Sequence, residues 1–358
     1  MEKSLIALAV LAASGAAMAQ SSVTLYGIVD LNLATEKTAT TAAGVTTGVR
    51  QTLVKSGNVN TSRWGLRGTE ALGGGLTANF KMEQGFDADT GASKAVPGFA
   101  DTNPDTPAAF ARQAWVGLSG GFGETRLGLT TTPFDDVSGA SNAVWDSALS
   151  PMNSVFKTAG SGSFMARPGN TIYYATPNLS GFTAAVSYSF GENKAPAVGT
   201  TPAVNAGSVI SGFVAYANGP VAVNVGYQTE KATDAALAKK FLRVGATYDL
   251  GVAKLLGTYG KAENMNSTNN SDANDYQLGV DVPVGAALTL SGSYAQSKNN
   301  GVGTTANEKR KGWGLGAKYA LSKRSTIYAG FEADNAKNGA GVTIKKHDIA
   351  LVGINHKF

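Results

Sequence analysis

From Ser22 onward, apolar and polar residues alternate with a period of two. Leu76, Ala78, Phe80 and Met82 alternate with Thr77, Asn79, Lys81 and Glu83. Val221, Val223, Val225 and Tyr227 alternate with Ala222, Asn224, Gly226 and Gln228. A period of two places successive side chains on opposite faces of a strand, so each such segment predicts a strand with one apolar and one polar face. Sixteen strands are predicted, near 23–34, 61–71, 75–85, 110–118, 124–131, 170–177, 182–190, 209–217, 221–229, 240–249, 252–261, 275–283, 287–297, 311–321, 325–333 and 347–358.

The connections alternate short and long. Gly73-Gly74, Leu179-Ser180-Gly181, Asn218-Gly219-Pro220, Leu250-Gly251 and Val284-Gly285-Ala286 are short, and their Gly, Asn and Pro residues suit tight hairpins. Thr35–Asn60, Asp87–Ala109 and Gly191–Gly207 are long and polar. A meander with its tight turns at one end and its long loops at the other is an up-and-down antiparallel β-barrel. No composition break divides it, so one all-β domain is expected over residues 20–358.

Sixteen strands enclose more space than side chains can fill, so the interior must hold water. The polar faces then line the lumen and the apolar faces meet lipid. The expected outward set includes Val29, Leu31, Leu66, Phe80, Val116, Leu127, Val186, Val225, Val244, Leu255, Val280, Leu290, Leu315, Ile327 and Ile354, with no charge among them. The charged strand residues Asp30, Arg63, Arg67, Lys81, Glu83, Lys254, Asp281, Lys318 and Glu332 fall on the other parity. Tyr188, Tyr227, Tyr248, Tyr259, Tyr294, Trp313 and Tyr319 sit on the lipid parity near strand ends, where interfacial aromatic girdles belong.

Composition narrows the reading further. Charged residues make up 15% and glycine 45 of 358 positions, and no apolar run outside the N-terminus is long enough for a membrane-spanning helix. Residues 1–19 read as an export signal: Lys3 precedes an apolar run from Leu5 to Ala13, and Ala17-Met18-Ala19 is an A-x-A cleavage site. There is no cysteine, and His347 and His356 are the two histidines. Thiolate chemistry is excluded, and neither a metal site, a cofactor nor a catalytic residue is expected. A net charge of +5 without a basic block argues against nucleic acid as a partner.

Several stretches together resemble the trimeric general porins of Gram-negative outer membranes, of the betaproteobacterial and neisserial type. They are Ser21-Ser22-Val23-Thr24-Leu25-Tyr26-Gly27, Ser62-Arg63-Trp64-Gly65-Leu66-Arg67-Gly68-Thr69-Glu70, Arg112-Gln113-Ala114-Trp115-Val116-Gly117-Leu118, Asn170-Thr171-Ile172-Tyr173-Tyr174 and the C-terminal strand ending in Phe358. The resemblance implies a 16-stranded transmembrane homotrimer in the outer membrane, with a third long loop folded into the lumen. That loop is the longest gap between predicted strands, Thr131–Gly169, and its Pro133, Phe134, Trp145 and Phe156 are a reason to pack inward.

A water-filled pore selects by its width and wall charge. Arg63 and Arg67 share the lumen face of the second predicted strand, and Arg126 has lumen parity on the fifth. By motif position, the resemblance assigns Arg63, Arg67, Arg112 and Arg167 to the basic side of the constriction. Arg112 shares parity with Ala114, so a kink at the strand mouth is needed to turn it inward. The loop acids Asp135, Asp136 and Asp146 are expected opposite. The family's Gly-Arg-Gln at the loop entrance is replaced here by Gly128-Leu129-Thr130, one cation fewer. The expected function is passive diffusion of ions and small hydrophilic solutes with weak anion preference. Expected partners are copies of the chain, outer-membrane lipids and lipopolysaccharide. The alternatives are a substrate-specific channel for sugars or organic acids, a barrel hydrolase using His347, and a secreted β-sandwich.

Overall fold

The computed structural model describes residues 21–42, 44–94, 108–156, 160–192, 194–200, 203–265, 271–301 and 307–358; the expected signal at 1–19 lies outside the described residues. The strands are β1 (Ser22–Ala42), β2 (Val45–Ser56), β3 (Arg63–Gly73), β4 (Leu76–Gly85), β5 (Gln113–Gly120), β6 (Gly123–Leu129), β7 (Thr171–Ala175), β8 (Phe182–Phe190), β9 (Ala206–Asn218), β10 (Val221–Thr233), β11 (Lys239–Asp249), β12 (Lys254–Glu263), β13 (Asp272–Val284), β14 (Leu288–Asn300), β15 (Lys309–Ala320), β16 (Ser325–Lys337) and β17 (Thr343–Lys357). From β3 onward each strand pairs antiparallel with the next, β1 pairs antiparallel with both β2 and β3, and β1 pairs with β17 from Ile28↔Lys357 to Thr40↔Lys345. The sheet is therefore closed, which leaves no unpaired edge in hydrocarbon.

Among the described residues, seventeen strands form sixteen staves. β3 pairs with Ser22–Ile28 of β1 and β2 with Leu31–Ala42, so β2 and β3 are two pieces of one stave. Thr35–Asn60 is thus not the irregular loop expected from its polarity; β1 runs on to Ala42 and β2 pairs along it. The ribbon carries threonine on facing positions, and hydroxyls meet at 2.9 Å in Thr35–Thr52 and Thr41–Thr46. Such a ribbon needs no apolar face where it projects into water, so the alternation that marks the other strands is weak here.

The two faces divide as the medium requires. Val116, Leu127, Val186, Val225, Leu255, Leu315 and Ile354 all lie exposed on the outside. Asp30, Asn32, Glu83, Gln228, Asp275, Gln277 and Glu332, on the inward parity, are buried. Tyr188, Tyr227, Tyr248, Tyr276, Tyr294, Trp313 and Tyr319 are exposed on the outer face, where rings with one polar edge suit the membrane interface. The tight turns use left-handed backbone at Gly219 (φ 55°) and Gly285 (φ 68°). At the closing seam, Gly27 and Phe358 exchange backbone hydrogen bonds of 3.1 and 3.0 Å. A Cβ at Gly27 would stand 2.2 Å from the Phe358 ring, so only glycine admits the terminal aromatic there.

Between β6 and β7 the chain leaves the wall and forms α1 (Pro133–Ser138), a single 3-10 turn (Val144–Asp146) and α2 (Pro151–Val155). Their contacts are with strands from β8 to β16, and the hydrogen bonds reach inward-parity residues, so this segment lies inside the barrel. An outward charge should be expensive and an outward methylene cheap. Val225→Arg is expected to lower stability in lipid by about 2–4 kcal/mol, and Val225→Leu to leave it nearly unchanged. Reversible urea unfolding in vesicles measures both.

Candidate functional site

The loop is held by a surface prepared for it. Where inward positions turn apolar, the loop sits on them: Leu256, Ile349 and Leu351 pack with Val144 and Leu149, while Phe241, Ala262 and Ala273 pack with Phe134 and Phe164. Where it lies flattest, the wall has glycine. A Cβ at Gly314 would reach 2.0 Å from the Leu149 carbonyl oxygen, one at Gly316 2.8 Å from the Trp145 ring, and one at Gly279 2.2 Å from the Ala143 side chain. The alternate glycines of β15 thus form a groove for the loop backbone.

Polar clamps complete the fit. Thr132 caps α1 by accepting from the Asp135 amide at 3.2 Å, with Pro133 in its first turn. Arg243 is buried; its guanidinium donates to the Ser138 and Ser161 carbonyls at 3.2 and 2.8 Å and faces the rings of Phe134, Phe156 and Phe164. Asp275 accepts from the Ser161 amide at 2.6 Å, and Ser154 donates to Glu332 at 2.6 Å. Val144, Trp145 and Asp146 all have positive φ, between 53° and 59°. Backbone of this kind costs roughly 1–3 kcal/mol per residue and persists only where surroundings enforce it. Here the Val144 amide is held by the Ser291 hydroxyl at 2.9 Å, and the Trp145 ring lies between Gly316 and the Lys318 ammonium, 4.8 Å away.

The opposite wall is basic. Glu83 is buried and gathers three cations: Arg112 Nε at 2.7 Å, Lys81 Nζ at 3.5 Å and Arg63 at 3.6 Å. The Tyr26 hydroxyl donates to it at 2.9 Å. Phe110 has φ 58°, supplying the bend that Arg112 needs to reach the inner face. Burial and the neighbouring guanidiniums of Arg63 and Arg167 hold the Arg112 pKa below its usual value. Arg67 and Lys81 are register partners, with the Tyr26 ring 5.3 and 5.8 Å from their charges. The ring's negative face offsets part of their repulsion. Arg126 lies over Trp115 and Tyr173, at 5.0 and 4.6 Å, and is paired to Glu124 at 2.8 Å. A recess of 370 Å³ opens on this wall between Thr24, Arg67, Lys81, Trp115, Ser119 and Glu124.

The loop acids are individually engaged. Asp135 pairs with Arg167 at 3.2 Å. Asp136 accepts from Thr131 at 2.6 Å and from the Tyr173 hydroxyl at 2.9 Å. Asp146 accepts from Asn142 and Asn153 at 2.5 and 3.0 Å. Arg63 and Arg112 therefore converge on Glu83, Arg67 is on the same strand as Arg63, Arg126 lies on β6 beyond β5, and Arg167 rides on the loop.

A closed barrel with a loop clamped across its lumen is the architecture of an outer-membrane pore, and comparison with known proteins decides its kind. The profile for Gram-negative porins matches residues 5–339. The chain belongs to the Gram-negative porin family. This porin is 37% identical over 363 residues to outer membrane porin protein 32 of Delftia acidovorans, covering 100% of this chain and 93% of that one. Its fold matches the anion-selective porin of Comamonas acidovorans with a TM-score of 0.74 and 30% identity, over 95% of this chain and 100% of that one. It also matches OmpT of Vibrio cholerae in its trimer form, with a TM-score of 0.65 and 18% identity, over 94% and 99% of the two chains. The porin is an outer-membrane channel for passive diffusion.

Sequence reasoning left Lys81, Glu83, Tyr26 and Arg243 out of the porin's site. The signal for the first two was present: Lys81 and Glu83 share lumen parity on the strand paired with the one carrying Arg63 and Arg67. The landing surface of the loop was also legible, as apolar residues at Phe241, Leu256, Ile349 and Leu351 that interrupt the inward polar parity. A side chain at Gly314 must push the loop off the wall. The displaced loop moves into the open part of the lumen, so Gly314→Val is expected to lower single-channel conductance in planar bilayers relative to the parent porin, and Gly257→Ala, where a Cβ meets its nearest neighbour at 3.6 Å, to leave it unchanged.

Proposed function

We propose that this porin passes small hydrophilic solutes and ions with a weak preference for anions, and that the basic wall sets the preference. The observation that carries the reading is an excess of positive charge on one side of the lumen. Arg63, Arg67, Lys81, Arg112 and Arg126 face Glu83 and Glu124 there. The constriction consists of these residues with Arg167, Asp135, Asp136 and Asp146 on the loop. The anion-selective character of the Comamonas acidovorans porin supports the same sign. Positive wall charge concentrates anions in a narrow aqueous path and raises the barrier to cations.

The inward aromatics support a general pore over a sugar channel. Tyr26, Trp115, Tyr173 and Tyr328 are each committed to a charged neighbour: Glu83, Arg126, Asp136 and Asp30 respectively. Trp115 and Tyr173 flank Arg126, while Tyr26 and Tyr328 stand on other staves beside Glu83 and Asp30, so the four do not form a ladder. A hydrolase reading finds no support at His347, which turns toward Glu332 and Asp334, while Asp348 lies 3.9 Å from Arg50. We further infer a homotrimer, as described for OmpT of Vibrio cholerae, assembled after removal of residues 1–19 and seated among outer-membrane lipids and lipopolysaccharide.

Reversal potentials in a KCl gradient test the assignment. The parent porin is expected to favour chloride, and Arg67→Ala combined with Lys81→Ala to lower the anion-to-cation permeability ratio severalfold. Unchanged selectivity in that variant would remove the basic wall as the filter. Burial, against the opposing pull of Arg167, pushes the Asp135 pKa up to about 6. Its carboxylate gains a proton as pH falls through that value, and the loop loses a negative charge. Anion preference is therefore expected to rise between pH 7.5 and pH 5, and Asp135→Asn to flatten that rise.

A further inference from the structure

Three ligand-bearing side chains on the wall are unused by the channel reading. Glu332 and Asp334 lie two residues apart on β16 and share its inward face, and His347 on β17 is the register partner of Asp334. One imidazole nitrogen faces both acids: Nδ1 of His347 is 3.2 Å from Oδ2 of Asp334 and 3.4 Å from Oε2 of Glu332. All three candidate ligand atoms lie within 4.8 Å of one another. The Glu332 side chain is 0% exposed, and its Oε2 receives no aligned hydrogen bond. Its conformation is fixed from the other side, since Ser154 of the loop donates to Oε1 at 2.6 Å. Glu36 of β1 also faces the cluster, but Lys55 and Gln51 occupy it at 2.7 and 3.1 Å.

The spacing suits a particular class of ion. Zinc–nitrogen and zinc–oxygen bonds of ~2.0–2.1 Å at tetrahedral angles place neighbouring ligand atoms about 3.3 Å apart. The two edges from His347 have that length. An imidazole beside two carboxylates selects a borderline first-row ion, whereas calcium and magnesium take shells of oxygen. Glu332 and Asp334 are buried and His347 partly exposed, which leaves an approach from the lumen for the ion and a position for water.

We propose that Glu332, Asp334 and His347 form a binding site for a divalent transition-metal ion of the zinc class in the wall of the pore. The ion occupies the space between Nδ1 and the two carboxylate oxygens, displaces any proton on Nδ1 and neutralises both acids. Because Glu332 also holds Ser154, the ion ties α2 of the constriction loop to the wall.

Cobalt and zinc ions are the probes, added to the purified porin in a non-ionic detergent. Titration with cobalt is expected to give the visible absorption of a four-coordinate ion, saturating at one ion per chain and reversed by zinc. Calorimetry with zinc is expected to show at least tenfold weaker binding in His347→Gln and in Asp334→Asn, and unchanged binding in His356→Gln, whose imidazole faces Ser325 instead. Unaltered metal-free conductance in each variant verifies its fold. The proposal is overturned if no saturable binding occurs at one ion per chain, or if both His347→Gln and Asp334→Asn bind as the parent does. The first outcome leaves the cluster as a histidine shared by two acids, and the second puts the ion elsewhere.

Discussion

Hydrocarbon offers no partner to a backbone amide or carbonyl, and this governs the whole molecule. A strand can enter the bilayer only if both neighbours complete its hydrogen bonds, so the sheet must close on itself. Here the closure is the pairing of β1 with β17, finished by Phe358 against Gly27. Once sixteen staves close, their interior is too wide to fill with side chains and takes water. The apolar outer face, the polar inner face and the aqueous path follow from that condition.

The segment between β6 and β7 divides the width of the lumen. It is anchored along one arc of the wall by glycine grooves, by apolar residues breaking the inward polar parity, and by the buried guanidinium of Arg243. The other arc stays open and carries the cations. Glu83 is what allows those cations to crowd: one buried carboxylate receives Arg63, Lys81 and Arg112, while the Tyr26 ring faces both Arg67 and Lys81. Charge separation across the lumen is thus a consequence of where the loop can and cannot land.

The strands were legible because lipid on one side and water on the other impose a period of two. β8 spans Phe182–Phe190, the same bounds as the alternating segment. β2 was hidden because a ribbon in water needs no continuous apolar face, and in Val45–Ser56 Thr, Arg, Gln, Lys and Ser separate the few apolar residues. Parity and motif point to the arginines of the candidate site, whereas Lys81 and Glu83 join it only through the register of β3 with β4. The bend at Phe110 and the left-handed run at Val144–Asp146 have no local sequence signature. They are imposed by contacts with residues far along the chain.

The central claim is that each stave has one face in lipid and one in water, and β4 tests it most directly. The natural chain has no cysteine, so single cysteines can be placed in turn from Thr77 to Glu83 and spin-labelled in vesicles. Accessibility to oxygen, which partitions into lipid, is predicted to peak at Ala78, Phe80 and Met82. Accessibility to a water-soluble nickel chelate is predicted to peak at Thr77, Asn79 and Lys81, in antiphase. Two profiles rising and falling together, or no alternation in either, would contradict the account.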